Sequence, residues 1–154
     1  MATYRFRVKL AADPQSLWRD ITIGEERTVD EFQTTVNDAV GLDQGHLWFV
    51  GRDQDYWESD IKFQPPSEYE ESPSGGLMGT REETYNAGKT TMRELTAQLG
   101  LDEGDRICYL YDYGDEWRFY AILEEATDDG PSDSSPQVVN EKGDGVVQYP
   151  TESR

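Results

Sequence analysis

The chain has 154 residues, 32 Asp and Glu against 14 Lys and Arg, and a formal charge of −18. That length suits one domain with a real core. A single cysteine, Cys108, excludes an intramolecular disulfide, and no stretch approaches the ~20 apolar residues of a membrane helix. With no basic, apolar leader at the N-terminus, these features lead us to expect a cytoplasmic protein without a membrane anchor. The acid load admits three readings: disorder, an acidic mimic that binds a basic protein, or a halophilic cytoplasmic protein kept soluble by carboxylates. Periodic apolar segments argue against the first. The acids are spread over the chain and only Lys9, Lys62, Lys89 and Lys142 are lysines, which favours the third.

Tyr4, Phe6, Val8 and Leu10 alternate with Arg5, Arg7 and Lys9, the pattern of a half-buried strand with a cationic outer face. Those cations can serve a nucleic-acid stripe or pair with carboxylates of a neighbouring strand; in so acidic a chain the second is preferred. Leu17 to Ile23 reads as a second strand. Thr28-Val29-Asp30-Glu31 is a capping box opening a helix whose Val29, Phe32, Val36, Ala39 and Val40 share one face. Gly41 stops it, and His46 to Val50 forms a third strand. This β-β-α-β order is the opening of a β-grasp arrangement.

Residues 51 to 89 carry weaker signals. Tyr56-Trp57 and Ile61-Lys62-Phe63 suggest a short edge hairpin, and 65–79 a mobile surface loop. Thr91 opens a second capped helix with Met92, Leu95 and Leu99 on its buried stripe and Gly100 as its stop. Gly41-Leu42-Asp43-Gln44-Gly45 and Gly100-Leu101-Asp102-Glu103-Gly104 resemble each other, so either one helix-then-strand unit is used twice or two helices converge on the same stop.

The most strand-rich stretch is 107–123. Gly114-Asp115 is a two-residue turn signal requiring φ > 0 at Gly114, which would set Asp112 opposite Trp117 and Leu110 opposite Phe119. One face would then carry Cys108, Leu110, Phe119, Ala121 and Leu123, and the other Ile107, Tyr109, Tyr111, Tyr113, Tyr120 and Ile122. The assignment is α+β: a mixed β-sheet with two main helices packed on it, followed by this hairpin. The domain is expected to span 1–125. An acidic, mostly irregular tail is expected over 126–154, in which Val138-Val139 and Val146-Val147 flank a candidate hairpin.

Chemistry-bearing patterns are sparse. Gly88-Lys89-Thr90 resembles the end of a phosphate loop, but Glu83 stands where the first glycine belongs. One His and one Cys cannot build a Cys/His zinc site. No cofactor is therefore expected. His46 is the one candidate imidazole base, with a structural hydrogen-bonding role preferred. Asp112 and Asp115 flank the turn at i, i+3, where two carboxylates can hold Mg²⁺ or Ca²⁺. The plainer reading makes Asp115 a turn residue and Asp112 an acceptor for the Trp117 indole. The tyrosines of the hairpin can form a stacking platform for bases, but the net charge argues against nucleic acid as a partner, and coverage by the helices is the plainer reading.

Trp18-Arg19-x-Ile21, a capped helix, His46-Leu47-Trp48-Phe49, a second helix and Tyr109-Leu110-Tyr111-Asp112-Tyr113-Gly114-Asp115-x-Trp117 occur here in that order. Over about residues 3–125 the chain resembles the plasmid pRiA4b ORF-3-like family, and Trp18, Arg19, Tyr111, Asp112, Gly114, Asp115 and Trp117 carry the resemblance. The resemblance implies an α+β fold and association with plasmids and insertion elements, and no established activity. Many members have His where Phe119 stands here, which weakens a catalytic reading. Three functional readings follow: a non-enzymatic binding or interaction module, with a protein as the admissible partner; a divalent-metal enzyme or phosphate-ester binder using Asp112 and Asp115; and an acidic mimic.

Overall fold

Residues 2–52, 56–66, 83–128 and 131–146 are described by the structure, a computed structural model. Alternation in the N-terminal segment makes β1 (Thr3–Leu10), with Tyr4, Phe6 and Val8 buried. It pairs antiparallel with β2 (Trp18–Gly24). Helix α1 (Val29–Val40) begins at the expected capping box: the Thr28 hydroxyl accepts the Glu31 amide and the Glu31 carboxylate accepts the Thr28 amide. Gly41, at φ 93°, closes it in the left-handed conformation that glycine adopts without strain. Then come β3 (Trp48–Arg52), a short 3₁₀ turn (Tyr56–Glu58), β4 (Ile61–Gln64) and β5 (Glu83–Asn86). Helix α2 (Met92–Leu99) has the second expected box, built by Thr91 and Glu94. Strands β6 (Arg106–Tyr111), β7 (Trp117–Thr127) and β8 (Gln137–Lys142) follow.

All eight strands join one sheet in the order β5-β4-β3-β6-β7-β1-β2-β8, antiparallel except for β4 with β5. Among the described residues the sheet is therefore mixed and carries the helices α1 and α2, an α+β fold. The β6–β7 hairpin enters between β1 and β3 and occupies its centre. Both helices lie on one face: Phe32 and Val36 of α1 and Met92 and Leu95 of α2 share a core with Phe6, Ile21, Tyr109, Tyr111 and Phe119. Their N-termini meet, with Thr28 and Thr91 bridged antiparallel. The Val29 amide donates to the Thr90 carbonyl at 2.9 Å and the Met92 amide to the Arg27 carbonyl at 2.7 Å. Each helix thus satisfies amide donors that its partner would otherwise leave unpaired. A smaller cluster, Phe49, Tyr56, Cys108 and Leu110, lies on the opposite face under the 3₁₀ turn.

The central hairpin departs from the sequence expectation by one residue. Tyr111 pairs with Trp117, Leu110 with Arg118 and Tyr109 with Phe119, leaving a connection over 112–116. Asp112 causes this. Its Oδ1 accepts the Gly114 amide at 3.0 Å and the Asp115 amide at 3.3 Å, and its carbonyl accepts the Glu116 amide at 2.6 Å. The positive φ values fall on Asp112 (69°) and Glu116 (54°), not on Gly114. Asp tolerates that conformation because its short side chain bonds the local backbone. A one-residue shift exchanges faces. Phe119, Ala121 and Leu123 therefore join Ile107, Tyr109 and Tyr111 beneath the helices, while Cys108 and Leu110 face away. The expected contact between Asp112 and the Trp117 indole does not form; Trp117 Nε1 is buried with no hydrogen-bond partner among the described residues.

The third strand begins at Trp48 rather than His46, and the expected loop over 65–79 lies, beyond Pro66, outside the described residues. After 125 the chain still finishes β7 and supplies β8, which pairs with β2. Val138 and Val139 belong to that strand, while the Val146 amide donates to the Val40 carbonyl at 2.8 Å, so the two valine pairs do not form the expected hairpin. Val147 lies outside the described residues.

Candidate functional site

Trp18 and Arg19 are adjacent on β2, so their side chains leave on opposite faces. Arg19 points under α1 and is 4% exposed. Its guanidinium donates to the carbonyls of Ala39 at 2.9 Å, Trp18 at 2.9 Å, Lys142 at 2.7 Å and Gly143 at 3.0 Å. No basic residue occupies the last turn of α1. Arg19 therefore supplies from β2 the cation that a helix C-terminus favours, and ties it to β8. Trp18 lies on the helix-free face, with the Arg7 guanidinium 3.8 Å above its ring. The cationic row of β1 finds its carboxylate there too. Arg5 Nη2 and Arg7 Nε each lie 2.7 Å from Asp20, whose side chain is fully buried. Burial alone would raise the Asp20 carboxyl, but the hydrogen bonds from Arg7 and Arg5 outweigh it and hold it below its ordinary range.

Three sheet positions away, at the end of β6, a polar group forms. The Tyr111 hydroxyl donates to Asp43 Oδ1 at 2.6 Å and accepts the His46 amide at 3.1 Å. Burial, followed by the bond to Asp43, pushes its phenol well above the normal value. Tyr109, one turn of the pleat earlier, donates to Asn37 Oδ1 at 2.6 Å and accepts from Gln33 Nε2 at 2.8 Å, both on α1. These two tyrosines are covered by the helix and present no platform for bases. The His46 Nε2 lies 3.7 Å from Asp43 Oδ2 and 3.8 Å from Asp112 Oδ2, and its ring meets Tyr111 edge-on at 5.9 Å.

His46 and Asp112 are thus brought together, and Asp43 joins them. Asp43 was not among the candidates; its sequence signal is the repeated Gly-Leu-Asp at the helix stop, three residues before His46. Asp115 is exposed in the loop and donates its amide to Asp112. Gly114 is exposed, and Trp117 packs half-buried against the core. Trp18 belongs to β2, separated from β6 by β7 and β1, and takes no part. Among the described residues no group of three or more His, Cys, Asp or Glu is arranged to hold a metal ion. Beside His46 a groove of about 320 Å³ runs between α1 and the approach to β3, walled by Asp30, Gln33, Trp48 and Pro65. Burial, then the neighbouring Glu31, raises the Asp30 carboxyl there.

The arrangement offers an imidazole flanked by two carboxylates, each already engaged by a neighbour: Asp43 by Tyr111, Asp112 by its own loop. The chain is similar in fold to a solved structure described as a protein of unknown function, MM3350, from Methanosarcina mazei Go1. That likeness has a TM-score of 0.63 at 15% identity and covers 91% of this chain and 68% of the other. Comparison with curated proteins returns no match. No helix among the described residues is long and apolar enough to cross a membrane. The model of the family described as plasmid pRiA4b ORF-3-like protein matches residues 2–148, and the chain belongs to that family.

Proposed function

We propose that this protein is a binding module rather than an enzyme, acting in a salt-rich cytoplasm and associated with mobile genetic elements. One observation carries the reading: Arg19, Tyr111 and Asp112 of the family motif are engaged in holding the chain together. Asp112 closes its loop through Gly114, Asp115 and Glu116, Tyr111 ties Asp43 to the approach to β3, and Arg19 serves four carbonyls. A catalytic carboxylate or base needs a free lone pair aimed at a substrate, whereas Asp112 Oδ1 is taken up by the amides of Gly114 and Asp115. The plasmid reading frame in the family's name supports the link to mobile elements.

The metal-dependent alternative draws on the approach of His46 to Asp43 and Asp112. Calorimetric titration of Mg²⁺ and Ca²⁺ into wild type, Asp112→Asn and Asp115→Asn, in a fixed KCl background, decides between them. No saturable binding by any form is expected. Saturable binding by wild type that is lost in both variants, with unchanged melting of the metal-free proteins, would overturn the binding-module reading.

A further inference from the structure

Register across the sheet shows what the helix-free face presents. Side chains on that face line up in rows: Cys108, Tyr120, Lys9, Trp18 and Lys142 in one, and Arg106, Ile122, Arg7, Asp20 and Asn140 in the next. Arg118 and Arg5 flank the rows on the same face. Six of the chain's 14 cations therefore gather here, although the chain as a whole is at −18. Helix α1, on the other face, carries Asp30, Glu31 and Asp38 and no Lys or Arg. Among the described residues the carboxylates beside the strip are Asp20, fully buried beneath Arg5 and Arg7, Glu125, the cross-strand partner of Arg5, Glu124, which acts on Arg7, and Glu116, 2.7 Å from Arg118.

Aromatic rings are interleaved with these cations. Arg7 stacks over Trp18 at 3.8 Å, Arg106 over Tyr120 at 4.8 Å and Arg118 over Tyr56 at 4.6 Å. Asp20 and the rings hold the guanidiniums in place, which lowers the entropy lost on binding. Trp18 and Tyr120 are half-exposed. From β6 to β8 the strip spans four strand spacings, about 19 Å. Among the described residues no α-helix covers it, and the 3₁₀ turn lies only over its β6 edge, at Cys108.

Resting on the binding-module reading, we propose that this face binds single-stranded nucleic acid. Cations take the phosphates, while Trp18, Tyr120 and the planes of their arginines take unstacked bases. A duplex is not the occupant, because its bases are already stacked and its major groove calls for a helix or a ribbon. An acidic protein segment would use the cations but give the rings no task. The net charge argued against nucleic acid; the distribution of charge between the two faces reverses that argument.

The test is fluorescence anisotropy of labelled oligothymidylate and oligouridylate with the full chain, in the lowest KCl at which its circular dichroism is native. Saturable binding that weakens with added salt is expected. The Lys9→Glu, Lys142→Glu double variant should bind about tenfold more weakly or worse, and Lys89→Glu, outside the strip, should bind like wild type. Trp18→Leu should weaken oligonucleotide binding while leaving any oligoglutamate binding unchanged. Each variant is confirmed folded by circular dichroism. Absence of binding by folded wild type, or binding indifferent to the double charge reversal, overturns the proposal. Tighter binding of oligoglutamate, insensitive to Trp18→Leu, assigns the strip to an acidic protein segment and also overturns it. In each of these cases the binding-module reading survives, since it fails only in the cation titration.

Discussion

On the helix-covered face Phe6, Ile21, Tyr111 and Phe119 are fully out of solvent, whereas their neighbours on the same strands, Lys9, Trp18 and Tyr120, are half-exposed on the other. One face holds the core and the other holds the cations. Alternation along a strand lets a single segment do both. The lesson is that a formal charge of −18 describes solubility and long-range field, not the chemistry of a particular face. α1 contributes carboxylates without a cation, while the bare face of the sheet concentrates arginine.

The comparison can be broken first at the level of the whole chain. Screening shortens the reach of repulsion from about 10 Å at 0.1 M salt to about 3 Å at 1 M, so the acid-rich surface should make cooperative folding depend on KCl. Circular dichroism melts across KCl concentrations check this; identical native melts in dilute buffer and molar KCl would remove the halophilic reading. Next, Phe119→Ala should cost about 3–5 kcal/mol in denaturant unfolding. Tyr120→Ala, one residue along on the bare face, should cost about 1 kcal/mol or less. Equal costs would mean that the bare face is core.

Asp20 sharpens the contrast further, being a buried carboxylate that serves an exposed strip. Its folded pKa lies below its unfolded value of about 3.9. Its contribution is therefore present above that unfolded value and is lost as pH falls through the folded one. Asp20→Asn should lower stability by about 2 kcal/mol at neutral pH, less than a fully buried pair because Arg5 and Arg7 keep partial solvent access. It should also flatten the wild-type decline below about pH 4. Unfolding followed from pH 7 to pH 2 measures both.

Smaller effects belong to the ends of elements. Thr28→Ala and Thr91→Ala should each cost about 1 kcal/mol. Because the two caps are bridged to each other, the double variant should depart from additivity by about 0.5 kcal/mol or more. The smallest effect is expected at Gly114→Ala, within about 0.5 kcal/mol: its φ is not positive, and an added Cβ would meet only Asp112 Oδ1, at 3.5 Å. A loss above 1 kcal/mol would restore the two-residue turn.

Both capping boxes, both glycine stops, the β1 alternation and the pairing of its cations with a neighbouring carboxylate were legible in the residues, because each depends on partners within a few positions or on a simple period. The hairpin register was not. Gly-Asp and Asp-x-Gly-Asp are both turn signals, and only the Asp112 side chain, bonded to two amides ahead of it, selects the longer connection. Of the candidate site, His46 and Asp112 were legible by type. Asp43 was not, although it stands three residues before His46, because the bond that holds it there comes from Tyr111, far away in sequence.

Sequence alone therefore determined the α+β class, the helices and their ends, and membership in a family whose motif spans the chain. Short-range hydrogen bonding and side-chain periodicity are local, and local order is written in adjacent residues. Tertiary structure decided the strand order, the face to which each residue of the hairpin turns, and the gathering of Arg5, Arg7, Lys9, Arg106, Arg118 and Lys142 on one surface. Those residues come from β6, β7 and β1, which are adjacent, and from β8, one strand beyond across β2, all assembled by long-range pairing, and no short-range pattern in the chain records which strands become neighbours.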